Sequence, residues 1–350
     1  MRRLTPVAAV AVALLLSAVV AGPGRASIAA VRAQRSLDAM ERYLFDRRSG
    51  DYREAVGVKS GSHAWPFSQA LAAHVSVARL PRGHSAVRKR LVLLERRFRK
   101  GTTYIAWPGG DLYLDDNEWL AQDLLDLNRP ALRRRASAIF EAVVAAWDRS
   151  RQHPCAGGVY WTTTAANRDR NTVSTANGAL VGLRLYRATR APRYLTWSRR
   201  MLAWVERCMH AHNGLYWDHI GLEGRVDRTH WSYNQGSMIG AYLELYGATG
   251  NARALGRAEA IADAAVDYFE SRWYTGEPPE FAAIFFRHLL ALAHTAGRPD
   301  YVDIVDAYGE RMWRSSRSRH TGLFSFNGRR TLLQQAALVQ IYAALARAGR

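Results

Sequence analysis

Apolar residues return at every third or fourth position through most of this chain, the spacing of helices that bury one face. A clear case is Leu180, Leu183, Leu185 and Tyr186, leading into Tyr194, Trp197, Met201, Leu202 and Val205. The helical tracts are punctuated by a recurring glycine-plus-aromatic turn: Gly50-Asp-Tyr52, Gly110-Asp-Leu-Tyr113, Gly158-Val-Tyr-Trp161, Gly214-Leu-Tyr-Trp217 and Gly322-Leu-Phe324. A degenerate sixth copy is Trp273-Tyr274-Thr-Gly276. The tract Leu185-Tyr-Arg-Ala-Thr189 returns as Leu245-Tyr-Gly-Ala-Thr249, and sustained strand alternation is absent. A two-helix repeat of this length cannot bury its apolar face alone, so neighbours must stack. No polar capping repeat stands at either end, which favours a closed ring over an open solenoid. The pattern therefore predicts a single α/α toroid of six helical hairpins, with short strands in the turns. Those turns should gather at one rim and place Tyr113, Tyr160, Trp161, Tyr216 and Trp217 around a shared cleft.

The first residues change this picture only at the N-terminus. Arg2-Arg3, the apolar run from Val7 to Val20 and small residues afterwards form a secretory signal peptide over residues 1–26, cleaved near Ala21 or Ala26. The run is short for a membrane span, so an uncleaved anchor is the second choice. Residues 27–350 are long enough for one large domain, and 48% hydrophobic residues argue against disorder. Cys155 and Cys208 are the only cysteines; one disulfide and two buried thiols are both open. The net charge of +19 is almost all arginine, since Lys59, Lys89 and Lys100 are the only lysines. The arginines are scattered along amphipathic helices without regular aromatic interleaving, which argues against nucleic acid as partner. Attraction to anionic, phosphorylated glycans is the functional alternative.

The strongest candidate chemistry is the pair Asp115-Asp116 at an expected helix start. Adjacent carboxylates cannot both ionise freely, so one pKa should rise, while a helix N-terminus favours the anion on the other. Glycoside cleavage needs such a pair, one carboxyl ionised and one protonated. The competing structural reading is a capping box between Asp115 and Glu118. Aromatic side chains suit sugar binding, because the C–H faces of a sugar stack on them. Trp161 and Trp231 are candidates for that contact, whereas Trp197 and Trp204 sit at packing positions.

In this order, Trp65-Pro-Phe-Ser-Gln-Ala70, Tyr113-Leu-Asp-Asp-Asn117, Gly157-Gly-Val-Tyr-Trp161, Arg170-Asn-Thr-Val-Ser174, Trp231-Ser-Tyr-Asn-Gln-Gly236, Ile284-Phe-Phe-Arg-His288 and Leu333-Gln-Gln-Ala-Ala337 resemble glycoside hydrolase family 76, the bacterial endo-α-1,6-mannanases. The set spans roughly residues 35–345. The resemblance implies an (α/α)6 barrel and retaining hydrolysis of α-1,6-mannosidic bonds. It implies Asp115 as nucleophile and Asp116 as general acid/base, although the residues alone leave the order of roles open. Asn117, Asn171, Tyr233, Asn234 and Gln235 become candidates for holding sugar hydroxyls or orienting the dyad. For Asn234 and Gln235 an ordinary helix-start turn is the alternative. Arg287-His288 match a late family motif, but Ala282 stands near a position where the family often has lysine. Asp123 and Asp126 read as a solvated face or local salt bridge.

Other chemistries have thin support. His210-Ala-His212 has the wrong spacing for a helical metal pair and lacks a clear third ligand. A Gly-x-Ser-x-Gly elbow, a phosphate-cradling loop and a dinucleotide fingerprint are missing from the sequence. The expectation is a secreted, cofactor-free and metal-free monomer acting on α-mannan. A transglycosylase using the same dyad and a non-catalytic glycan-binding protein are the competing readings.

Overall fold

A computed structural model describes residues 27–166 and 169–350; the expected signal peptide lies outside the described residues. Among the described residues the chain forms twelve α-helices in two concentric rings. The inner ring is α2 (Ala64–Ala78), α4 (Leu114–Asp126), α6 (Thr172–Thr189), α8 (Ser232–Thr249), α10 (Pro279–Ala296) and α12 (Leu332–Arg347). Each of these packs on the next, and α12 packs back on α2 to close the circle. The outer ring is α1 (Ile28–Leu44), α3 (Val87–Phe98), α5 (Pro130–Ala145), α7 (Pro192–Cys208), α9 (Ala252–Phe269) and α11 (Pro299–Ser315). The expected (α/α)6 toroid is thus observed.

The sequence decides which helix goes where. In α6 every residue from Thr172 to Leu183 is buried, as a helix enclosed on all sides requires. Its outer partner α7 buries Tyr194, Ser198, Met201, Leu202 and Val205, one stripe at helical spacing. Inner-to-outer connections are short. Gly250 and Gly297 end α8 and α10 in the left-handed conformation, and Pro130, Pro192 and Pro299 open α5, α7 and α11.

The outer-to-inner connections are long and carry the glycine-aromatic turns, all on the face where the inner helices begin. Gly158 shows why glycine is needed there. Its φ is +87°, and an added Cβ would lie 2.5 Å from the Trp204 ring. The sixth copy is a 3₁₀ turn at Arg272–Tyr274. Two-residue strands occur in these connections. Arg170–Asn171 pairs with His219–Ile220, which pairs with Val226–Asp227, tying two rim segments together.

Four inner helices hold their preceding turn by the same device. The fourth residue of the helix bonds the backbone of the residue that the turn must place. Asn117 clamps the N–H and C=O of Tyr104 at 2.8 Å each. Gln235 does so for Tyr216 and Gln335 for Phe324, while Thr175 accepts from the Val159 N–H. Buried backbone groups are thereby satisfied where no ladder reaches them. Tyr216 and Trp217 are consequently not cleft residues. Tyr216 is fully buried and donates to Glu206, and Trp217 packs against the core. Trp197 and Trp204 pack as expected, Trp204 with 1% exposure.

Cys155 and Cys208 form a disulfide with Cα atoms 6.0 Å apart, joining a rim segment to the end of α7. No helix among the described residues is long and apolar enough to cross a membrane.

Candidate active site

Asp115 and Asp116 are the second and third residues of α4, whose N-terminus opens on the rim face. Tyr113, without a side-chain hydrogen bond, occupies the N-cap, so the capping box with Glu118 does not form. Asp115 and Asp116 are both partly exposed to a cavity of about 270 Å³, whereas Glu118 is fully buried beneath them. Both Glu118 carboxyl oxygens lack a protein partner, and burial followed by the Asp115 charge pushes this group well above the usual range.

The two aspartates differ in surroundings. Burial raises Asp115, but the Trp161 indole N–H donates to its Oδ1 at 3.0 Å and pulls in the opposite direction. Asp116 has no such donor; burial and then the neighbouring Asp115 charge drive it much further up. The pair titrates as a unit in which Asp115 loses its proton first. The unpaired N–H groups at the start of α4 favour that anion further.

Trp161 is fixed edge-on against Tyr113, with ring centres 4.9 Å apart. An aromatic wall faces it, built from Trp65 of α2, Trp119 of α4 and Phe281 of α10. Tyr233 of α8 joins this wall, its ring 4.5 Å from that of Phe281. Trp231 stands one ring back, stacked on Tyr233 at 6.3 Å and against Phe281 at 5.4 Å, and does not line the cavity.

Across the cavity lies a polar cluster set up by the three-stranded rim sheet. His219 Nδ1 bonds Asp218 at 2.9 Å and its Nε2 lies 3.8 Å from Asp169, so the ring is held on the protonated side of its ordinary range, the Asp218 bond first among the causes. The Tyr233 hydroxyl and the Asn234 amide both donate to the other Asp218 oxygen, at 3.2 and 3.0 Å. Asn171 lines the cavity and reaches Asp169 at 3.3 Å.

The cavity therefore unites Asp115, Asp116, Trp161, Asn171 and Tyr233, with Asn234 one bond behind through Asp218. Asn117 and Gln235 are fully committed to the backbone clamps described above, which take every polar side-chain atom they have. Arg287 and His288 lie one turn beyond Ile284 on α10, outside the cavity. Arg287 is paired with Asp126 at 2.8 Å, and His288 is buried. Asp123 and Asp126 form the expected local salt bridges, both with Arg287, and do not make a solvated face. Sequence reasoning missed Asp169, Asp218 and His219, whose only signal was their place beside Asn171 and in the turn after Trp217. Among the described residues no group of His, Cys, Asp and Glu side chains is arranged to hold a metal ion.

The sequence pattern of glycosyl hydrolase family 76 matches residues 48–327. The chain belongs to that family. Two curated relatives, the mannan endo-1,6-alpha-mannosidases DCW1 of Candida glabrata and Saccharomyces cerevisiae, are each 30% identical over 135 residues. That match covers 35% of this chain and spans only 29% of either relative's length. Among solved structures, the family 76 mannosidase Bt3792 of Bacteroides thetaiotaomicron superposes with a TM-score of 0.81 at 21% identity, over 93% of this chain and 100% of that one. An inactive variant of the Salegentibacter family 76 α-1,6-mannanase in complex with α-1,6-mannotriose superposes with a TM-score of 0.76 at 20% identity, over 91% of this chain and 99% of that one. At these identities the structural likeness establishes the toroid that this family 76 chain adopts.

The role of Trp161 as donor can be read from a pH profile. In Trp161→Phe the bond to Asp115 Oδ1 is lost, the anion loses a stabilising partner, and the pKa of Asp115 rises. If Asp115 acts as the ionised and Asp116 as the protonated member of a catalytic pair, the acid limb of kcat/KM should move to higher pH while the alkaline limb stays nearly in place. An unchanged acid limb would show that the indole N–H does not control Asp115.

Proposed function

We propose that the protein is an exported retaining glycosidase that cleaves α-1,6-mannosidic bonds in mannan or mannan-cored glycans. The observation that carries this is the unequal environment of two adjacent carboxyls in one cavity: Asp115 holds a charge-stabilising donor and Asp116 does not. The family, and the α-1,6-mannan activity for which its relatives are named, support the choice of linkage. That the Salegentibacter variant was inactivated at two adjacent aspartates supports the choice of dyad. The N-terminal leader and the disulfide support export.

With Trp161 holding Oδ1 of Asp115, its Oδ2 is left to attack the anomeric carbon. As that bond forms, the glycosidic C–O bond breaks, and its electron pair goes to the leaving oxygen, which takes the proton of Asp116. The resulting Asp116 carboxylate then removes a proton from water. The water oxygen attacks the anomeric carbon and expels Asp115, restoring both groups. The aromatic wall offers stacking surface for the sugar, and Asp169, Asn171 and His219 offer hydrogen bonds to its hydroxyls.

The test is incubation of the protein with linear α-1,6-mannan while anomeric protons are followed by NMR. Oligosaccharides whose first-formed reducing ends are α are expected. First-formed β ends would overturn retention, and absence of any product would overturn the substrate assignment. Products longer than an added acceptor oligosaccharide would assign transfer in place of hydrolysis.

A further inference from the structure

The opposite mouth of the ring, where the inner helices end, contains a second and larger cavity of about 930 Å³. Four arginines from four different inner-ring elements line it: Arg79 after α2, Arg184 of α6, Arg287 of α10 and Arg347 at the end of α12. Three of them share one carboxylate, Asp126, the last residue of α4. Arg79 and Arg287 bond its Oδ2 at 3.0 and 2.8 Å, and Arg184 bonds Oδ1 at 2.5 Å. Arg347 has no hydrogen-bond or ion-pair partner among the described residues, although it lies near Arg79 and Arg287. Loss of hydration at the cavity wall, then these two like charges, pulls Arg347 down to about 10 although its residue is exposed overall, so it remains charged at neutral pH.

The balance of charge is uneven. Asp126 is firmly ionised, because Arg287, Arg184 and Arg79 together outweigh its burial. Asp123, the next carboxylate inward, is raised to about 7 by burial and contributes only part of a charge. Of the carboxylates at the cavity, Asp126 is shared by three guanidinium groups and Glu244 is paired with Arg187 outside it, which leaves Arg347 without an anionic partner among the described residues. Helix C-termini attract cations, and a purely structural role would have these arginines bonding the last carbonyls. Among the described residues none of them does so; the one carbonyl bond, from Arg184 to Gln122 at 3.1 Å, falls a turn inside α4. Arg298, at the same mouth, is already spent on Asp300 and Asp263. The walls between the arginines are apolar, formed by Leu180, Leu243, Leu290 and Val302, which leaves the charged groups converging on an open interior.

We propose that this cavity is a phosphate-binding site, separate from the dyad, which takes the phosphoester group of a glycan or lipid between Arg79, Arg287 and Arg347. Phosphate matches the site because it carries up to two negative charges on oxygens spaced for guanidinium forks. The apolar walls give the remainder of such a molecule a place to lie. The inference does not rest on the catalytic reading, since the two cavities open on opposite faces.

The experiment titrates the full chain with inorganic pyrophosphate at low ionic strength by calorimetry. Wild type is compared with Arg347→Gln, Arg79→Gln and, as a control on the opposite rim face, the exposed Arg48→Gln. Saturable one-site binding is expected in wild type and in the control, weakened by about 10-fold or more in each cavity variant, as loss of a charge-assisted bond predicts. Thermal melts confirm that the variants are folded; both replaced side chains are exposed at helix ends, and mannan turnover should be unchanged in them. A parallel sedimentation assay uses phosphatidylcholine vesicles with and without phosphatidylinositol. Arg347-dependent binding to the phosphatidylinositol vesicles would assign a lipid source, and binding of pyrophosphate alone a soluble one. Equal affinity in all four proteins, or no saturable binding to either probe, would overturn the proposal.

Discussion

Replacing either Asp115 or Asp116 by Asn should lower kcat on linear α-1,6-mannan by on the order of 10⁴-fold, because each substitution removes a group that no neighbour can replace. The two variants should then part company. On the proposed roles Asp116→Asn keeps its nucleophile, so a substrate with an activated leaving group such as dinitrophenolate should still mannosylate Asp115. Added azide should then release mannosyl azide of retained configuration. Asp115→Asn has no residue to form the covalent intermediate, and azide can rescue it only by direct attack with inversion. Rescue with retention in Asp115→Asn and not in Asp116→Asn would reverse the roles. Wild-type rates in either variant would remove that residue from the chemistry altogether. The pH dependence follows the same logic: the proposed mechanism requires Asp115 ionised and Asp116 protonated. Both groups are raised, so the active window should lie above the ordinary carboxylate range.

The largest expected loss of stability is at Arg170. This side chain is wholly buried, donates to Asp148 at 2.9 Å, and also reaches the carbonyls of Pro154 at 3.1 Å and Gly221 at 2.8 Å. It therefore binds together the two rim segments that carry Asn171 and Asp169 on one side and Asp218 and His219 on the other. Arg170→Met leaves Asp148 buried without its guanidinium and two carbonyls without donors, and should cost about 3–5 kcal/mol. That corresponds to a fall in melting temperature of roughly 10 °C for a chain of this size. Asp148 is itself held below its ordinary pKa: burial pushes it up, but bonds from His153 and the Ser150 amide, with the Arg170 charge, prevail. A depressed carboxylate contributes stability above its unfolded pKa and loses it as pH falls through the folded one. The difference between wild type and Arg170→Met should accordingly shrink in acid. A melting temperature within 2 °C of wild type (about 1 kcal/mol or less) would show that the rim does not depend on this cluster.

The toroid was legible in the sequence because a repeated element states its architecture several times over. The glycine-aromatic turns marked the outer-to-inner connections, and the stretches between them had helical period. The dyad was legible because both carboxyls sit on consecutive residues. The opposite wall of the cavity was not. Asp169, Asp218 and His219 come together through strands only two residues long, which leave no periodic trace, and through a rim clasp 51 residues long in sequence from Arg170 to Gly221. Asn117 and Gln235 carried the chemistry of sugar recognition but spend it on the backbone, a use that composition cannot distinguish. Arg287 and His288 follow Ile284 on the same helix, and a single turn of α10 is enough to separate residues at the cavity from residues in the interior. Tyr216 and Trp217 failed as cleft residues for a related reason, since consecutive residues in a turn need not face the same way.

Closure of the inner ring by α12 against α2 has a bearing on how the chain reaches its native state. The helix that seals the circle is the last one made, and the two it covers, α1 and α2, are the first. Until residues 332–347 arrive, those early helices present apolar stripes with nothing to cover them. Before that closure the N-terminal half should leave apolar surface uncovered. Closure of the circle should be slow, governed by contacts of the greatest sequence separation among the described helices.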